Sequence, residues 1–181
     1  MKHWLVPLLF LVGVAIAVSA VPRVSREALH AMESSFDKRI QMMSADTPFE
    51  LLGNTNGVYL EGYGAVFTCE VNLSQSANIS PFQTSIPRDY VVKLRQRKLE
   101  RLPILKKSMQ EEMIAMASSL DNVPANERIV LGVKLFYRAW EDTTGLPSQV
   151  LMEAERQKLL DVQLGRTSRA SLDSIIRVEE L

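Results

Sequence analysis

The sequence predicts an α+β domain with a mostly antiparallel sheet and two long helices packed on one of its faces. Three observations carry that prediction. Two segments, Ala65–Leu73 and Ile129–Ala139, alternate apolar and other residues with a period of two, the mark of half-buried strands. Two others, residues 25–43 and 90–120, repeat apolar residues every three or four positions, the mark of a helix with one buried stripe. The strands and helices do not alternate regularly, which favours α+β over a doubly wound sheet.

The chain opens with an export signal. Met1, Lys2 and His3 give a short positive start, and no charged residue follows between Trp4 and Ala20. The centre of that stretch, Leu8-Leu9-Phe10-Leu11-Val12, is strongly apolar, and it closes on Val18-Ser19-Ala20. A positive start, an apolar centre and a small-residue end make up a secretory signal peptide. The expected organisation is therefore a signal peptide at 1–20 and one α+β domain at 21–181. Export to a periplasm or extracellular space follows from that reading. The alternative is a retained N-terminal membrane anchor. A spanning helix wants ~20 apolar residues, and this run has 17 uncharged ones interrupted by Pro7 and Gly13.

Composition narrows the function classes. Without residues 1–20 the chain is about 42% apolar, an ordinary value for a water-soluble domain. Its net charge is then about −1, since Lys2 leaves with the signal. A near-neutral total argues against a dedicated nucleic-acid binder. The lone cysteine, Cys69, cannot form an intramolecular disulfide, so the core alone must hold the fold. Sequons at Asn72 and Asn78 match a pattern that also arises by chance.

Taken in order, the first helix places Leu29, Met32, Phe36, Ile40 and Met43 on one face, with Ser25 as N-cap and Glu27 in the first turn. Thr47-Pro48 should end it. Residues 49–73 read as β structure, with turn chemistry at Asn54–Gly57 and a bend at Gly62 and Gly64. Residues 74–88, rich in Ser, Asn, Gln and Pro, read as a long loop. The second helix, capped by Asp89, aligns Leu102, Leu105, Met109, Met113, Met116 and Leu120, with Pro103 as a kink or restart. The next strand runs over 127–140. A turn at Glu141–Gly145 leads to a partner strand at 148–154, with a helix beginning near Pro147 as the competing reading, then a helix at 155–163, a loop at 165–171 and a last strand at 172–179.

No motif specifies a reaction. Cys69 sits on the apolar side of its strand, and the mature chain has one histidine, His30; a nucleophilic thiol needs a base within hydrogen-bond reach. Glu61, between aromatics and glycines, could act as a general acid or base, but that chemistry usually takes a pair of carboxylates. A carboxylate- or Cys-dependent hydrolase near the 57–70 hairpin is therefore the alternative function. No His/Cys set has metal-ligand spacing, and no cofactor is expected.

The most distinctive feature is a basic run. Arg88, Lys93, Arg95, Arg97, Lys98, Arg101, Lys106 and Lys107 are opposed within it only by Asp89 and Glu100. Lys93, Arg97 and Arg101 stand four apart, so on a helix they would share a face and repel one another. Lys93, Arg97, Lys98 and Arg101 are the candidate ligand-binding residues, for an anionic lipid, an acidic polysaccharide or an acidic protein surface. The bland reading is a solvated helix face balanced by acids such as Glu111, Glu112, Glu141 and Asp142. The methionines at 32, 43, 109, 113 and 116 are core residues or an adaptable groove. In the latter case the chain would be a subunit of a larger envelope assembly, contacting its neighbours through the Met faces or the 74–88 loop. The leading expectation is an exported, non-catalytic binding or scaffold protein.

Overall fold

The computed structural model describes residues 24–43, 49–77 and 85–181. The signal-peptide reading of residues 1–20 and the Thr47-Pro48 stop lie outside the described residues. The fold is α+β around a mixed sheet. Its elements are α1 (Arg26–Met42), β1 (Glu50–Leu51), β2 (Asn56–Leu60), β3 (Gly64–Asn72), α2 (Arg88–Ser119), β4 (Arg128–Leu135), β5 (Gln149–Glu155), α3 (Arg156–Gln163), α4 (Leu172–Ile175) and β6 (Arg177–Glu180). A single 3-10 turn at Arg169–Ser171 precedes α4.

The sheet order is β1-β3-β4-β5-β6, and β2 also pairs with β3, alongside its first half. Every pairing is antiparallel except β3–β4, which is parallel, with Gly64 opposite Arg128 and Val71 opposite Leu135. The expected mostly antiparallel sheet is thus a mixed one, because α2 carries the chain back to the start of β4 as a crossover. Ala65, Phe67, Cys69 and Val71 of β3 and Ile129, Leu131, Val133 and Leu135 of β4 point to the helix side and are buried. Leu29, Phe36 and Ile40 of α1 and Leu102, Leu105, Met109, Met113 and Met116 of α2 meet them there. These methionines are therefore core, and the Met faces of α2 offer no interface. The opposite sheet face carries no helix among the described residues and holds Val58, Val66, Thr68, Glu70 and Lys134.

Local chemistry sets most boundaries. The Ser25 side chain accepts from the Ala28 amide and starts α1. Gly62, at φ +79°, makes the 61–63 turn. Gly64, at φ +139°, leaves no room for a side chain, since a Cβ there would lie 1.9 Å from the Arg128 carbonyl oxygen. Asp89 does not cap α2; the cap is Pro87, which offers no side-chain bond, and Asp89 sits in the first turn. Pro103 lies within α2, which runs unbroken from Arg88 to Ser119.

Two strand expectations change. β4 ends at Leu135, not 140, because Glu141 is drawn toward α2 by Lys98 and the chain turns away. Leu172–Ile175 forms a helical turn that buries Leu172, so the last strand begins at Arg177.

Candidate functional site

The basic run occupies the N-terminal half of α2, and the fold divides it into an inner and an outer set. Buried α2 positions follow the stripe Leu94, Lys98, Arg101, Leu105, so two of the cations fall among the core residues. Lys98 Nζ lies 2.5 Å from Glu141 Oε2, with side chains 1% and 3% exposed. It also donates to the Phe136 carbonyl at 3.3 Å and lies 4.8 Å from the centre of the Tyr137 ring. The other Glu141 oxygen accepts from the Arg138 amide. Burial lowers the Lys98 pKa, outweighing the opposing pull of Glu141; burial likewise raises that of Tyr137. The result is a lock holding the 136–147 segment on α2. Arg95 extends it, donating to the Thr144 carbonyl at 2.7 Å and pairing with Asp142 at 3.7 Å.

Arg101 is also inside, 6% exposed, with its guanidinium 4.2 Å from the Phe49 ring centre. Burial, and then the nearby charge of Arg97, lowers its pKa. Lys106 pairs with Glu180 at 2.7 Å. The four candidate residues therefore do not form one surface. Lys93 and Arg97 are exposed, while Lys98 and Arg101 are buried against the core.

What remains outside is a smaller cationic face. Arg88, Lys93, Arg97 and Lys107 are exposed and make no ion pair with any described residue. Asp89 and Glu100 are the acids of the same stretch. Two large apolar side chains are interleaved with these cations, Val92 at 63% and Ile104 at 47% exposure. Cations alternating with exposed aliphatic groups suit a wet, negatively charged boundary with an apolar layer behind it.

Next to this face stand the aromatics of the 136–142 segment. Trp140 packs against Tyr90 of α2, ring centres 6.0 Å apart. The Tyr90 hydroxyl accepts from the Ala77 amide, and Arg138 donates to Ser76. The segment thus ties together α2, β4 and the start of the 74–88 loop.

The residues weighed for catalysis are dispersed. Cys69 is buried, and burial pushes its thiol up to about 12, with Asp37 adding to the rise and the Thr55 hydroxyl opposing it. Its polar neighbours are thus a hydroxyl and a carboxylate, and neither is a base suited to activating it. Glu61 lies in the exposed turn between β2 and β3. His30 is exposed and bonds Glu33 at 2.9 Å. Asn72 is fully buried and bonded to Glu50, so its sequon is closed in the folded chain. Among the described residues there is no group of three or more His, Cys, Asp or Glu placed to hold a metal ion, and no helix is long and apolar enough to cross a membrane.

One polar constellation has a structural role that residue type alone did not suggest. The edge of β2 is covered by side chains of α1. Glu33 accepts from the Gly57 amide at 2.7 Å, Arg26 donates to the Gly57 carbonyl at 3.0 Å, and Asp37 accepts from the Thr55 amide at 2.9 Å. The helix thereby occupies backbone groups that an unpaired strand edge would leave open to another chain. Burial opposes charge on Glu33, but the His30 and Gly57 hydrogen bonds and the Arg26 charge hold its carboxyl below the usual range.

No protein-family model, curated protein or solved structure matches the chain.

Proposed function

We propose that this chain is an exported, non-catalytic binding protein that meets an anionic lipid surface through the outer face of α2. The observation that carries the reading is the exposed set Arg88, Lys93, Arg97 and Lys107, unpaired among the described residues and interleaved with Val92 and Ile104. Each Lys or Arg near an anionic bilayer contributes about 1 kcal/mol. Four such groups correspond to a dissociation constant on the millimolar scale, reduced in effect by Asp89 and Glu100. Partial burial of Val92 and Ile104, at up to about 1.5–3 kcal/mol for a fully buried side chain, brings the sum into the micromolar range. Export rests on the pattern of residues 1–20, which places the mature chain where envelope surfaces are available.

The test is cosedimentation of the purified protein with vesicles containing anionic lipid and with purely zwitterionic vesicles. Binding to the anionic vesicles that is lost in the Lys93→Gln, Arg97→Gln double variant supports the reading. Equal binding to both vesicle types, or none to either, removes it. An acidic polysaccharide run in parallel separates a lipid surface from a general polyanion.

A further inference from the structure

We propose that a groove along α1, on the side turned away from the sheet, is a binding site for a single-chain amphiphile with an anionic head. The groove has a volume of about 800 Å³ and is lined along α1 and its C-cap by Ala31, Ser34, Ser35, Lys38, Arg39, Met42 and Met43, and from α2 by Ser108. That volume falls within the range of small-molecule sites, ~300–1,000 Å³. The lining residues of α1 span roughly 18 Å at 1.5 Å per residue, long and narrow rather than round.

The lining is graded along that length. Met42 and Met43 form the apolar end, and Met42 is 77% exposed, the most exposed large hydrophobic side chain among the described residues. Methionine is unbranched and polarisable, suited to following the contour of a flexible chain. One turn earlier stand Lys38 and Arg39. Arg39 is fixed through its Nε, which lies 2.5 Å from Glu112 Oε2, and its side chain remains 38% exposed. Arg39 lines the groove and its terminal nitrogens make no hydrogen bond to any described residue, which leaves them as donors for a ligand. Glu112 balances the Arg39 charge, which leaves Lys38, exposed and without an ion pair among the described residues, as the net positive charge of the groove. The hydroxyls of Ser34, Ser35 and Ser108 bond no described residue and supply further donors beside it. Several donors and one net cation next to an apolar end describe a site for an anionic head with a hydrocarbon tail. Carboxylate and phosphate heads share that chemistry.

This site is separate from the outer face of α2, and the experiment keeps the two apart. The purified protein is titrated into dansylated undecanoic acid, whose emission rises and shifts to the blue in an apolar site. Oleate, lysophosphatidate and uncharged oleyl alcohol then compete for it. Saturable binding, displaced by oleate or lysophosphatidate and not by the alcohol, is the expected result; the stronger competitor identifies the head. Lys38→Glu should weaken the probe about tenfold or more. Ser35→Trp, which fills the groove from its half-buried wall, should abolish binding. The Lys93→Gln, Arg97→Gln variant should bind the probe as wild type does. The proposal is overturned by an absence of saturable binding or by the alcohol competing as well as oleate. It is equally overturned if Lys38→Glu and Ser35→Trp, with unchanged melting curves, both stay within about twofold of wild type.

Discussion

Removing Glu141 should cost the fold far more than removing any of the exposed α2 cations. In Glu141→Ala the Lys98 ammonium, 1% exposed, keeps among the described residues the Phe136 carbonyl, the Tyr137 ring and the charge of Glu50, but no ion-pair partner in contact. The Arg138 amide loses its acceptor as well. Breaking a buried pair by deleting one member typically destabilises by ~3–5 kcal/mol. That is a large share of a stability of ~5–15 kcal/mol, and for a chain of this size it lowers the melting temperature by roughly 6–20 °C. Lys98 is already biased toward its neutral form by burial, so the loss should sit nearer the lower figure at high pH. The assay is urea unfolding followed by circular dichroism, with the slope of the transition checked for constancy. The double variant Lys98→Met, Glu141→Leu should recover most of the loss, because it removes both charges. A Glu141→Ala cost below about 1 kcal/mol would refute the reasoning, since that is the scale of a solvent-screened surface pair.

Three further predictions follow from single sites. Glu33 has a carboxyl pKa below its unfolded value, so its contribution is present above about pH 4.5 and is lost as pH falls through the lower, folded value; Glu33→Gln should flatten the acid limb of a stability-against-pH curve, and an unchanged limb would remove Glu33 from the account. Cys69, with its thiol raised to about 12, has a thiolate fraction near 10⁻⁴ at pH 8. It should be inert to a disulfide reagent in the folded protein and react at once in denaturant; rapid reaction under native conditions would contradict its burial. Gly64→Ala places a Cβ 1.9 Å from the Arg128 carbonyl at a φ of +139°. It should destabilise by more than ~3 kcal/mol, whereas Gly53→Ala, with open space around the position, should cost less although its φ is also positive.

Much of the layout was legible because it rests on periodicity. The Ser25 cap, the stripe Leu29–Phe36–Ile40 and the methionines of α2 stand where a 3.6-residue period puts them. The alternation of Ala65 to Val71 marked the buried side of β3. The parallel β3–β4 pairing was not legible, since a strand shows the same alternation whichever way its neighbour runs. Strand β4 is shorter than its pattern predicts, because Tyr137 and Ala139 continue the alternation of Ile129 to Leu135 beyond its end. The Lys98–Glu141 contact that ends it joins residues 43 apart in the chain.

The division of the basic run was in principle visible. Leu94, Lys98, Arg101 and Leu105 are spaced four, three and four, so they continue the buried stripe of α2, just as Glu33 sits among Leu29, Phe36 and Ile40 on α1. Charge alone suggested the outside; phase along the helix placed these side chains inside. The groove beside Met42 depends on how α1 lies against Ser108, which spacing within one helix does not specify.

The most direct test of the central claim, that the outer face of α2 meets an anionic lipid surface, is site-directed fluorescence. Cys69 is buried, so a new surface cysteine can be labelled selectively. One labelled protein carries Ile104→Cys on α2 and a second carries Val58→Cys on the sheet face opposite the helices, positions 47% and 49% exposed. With an environment-sensitive dye and anionic vesicles, the account predicts a blue shift at position 104 that is reversed by salt, and none at position 58. A shift at 58 without one at 104, or no shift at either, would contradict it.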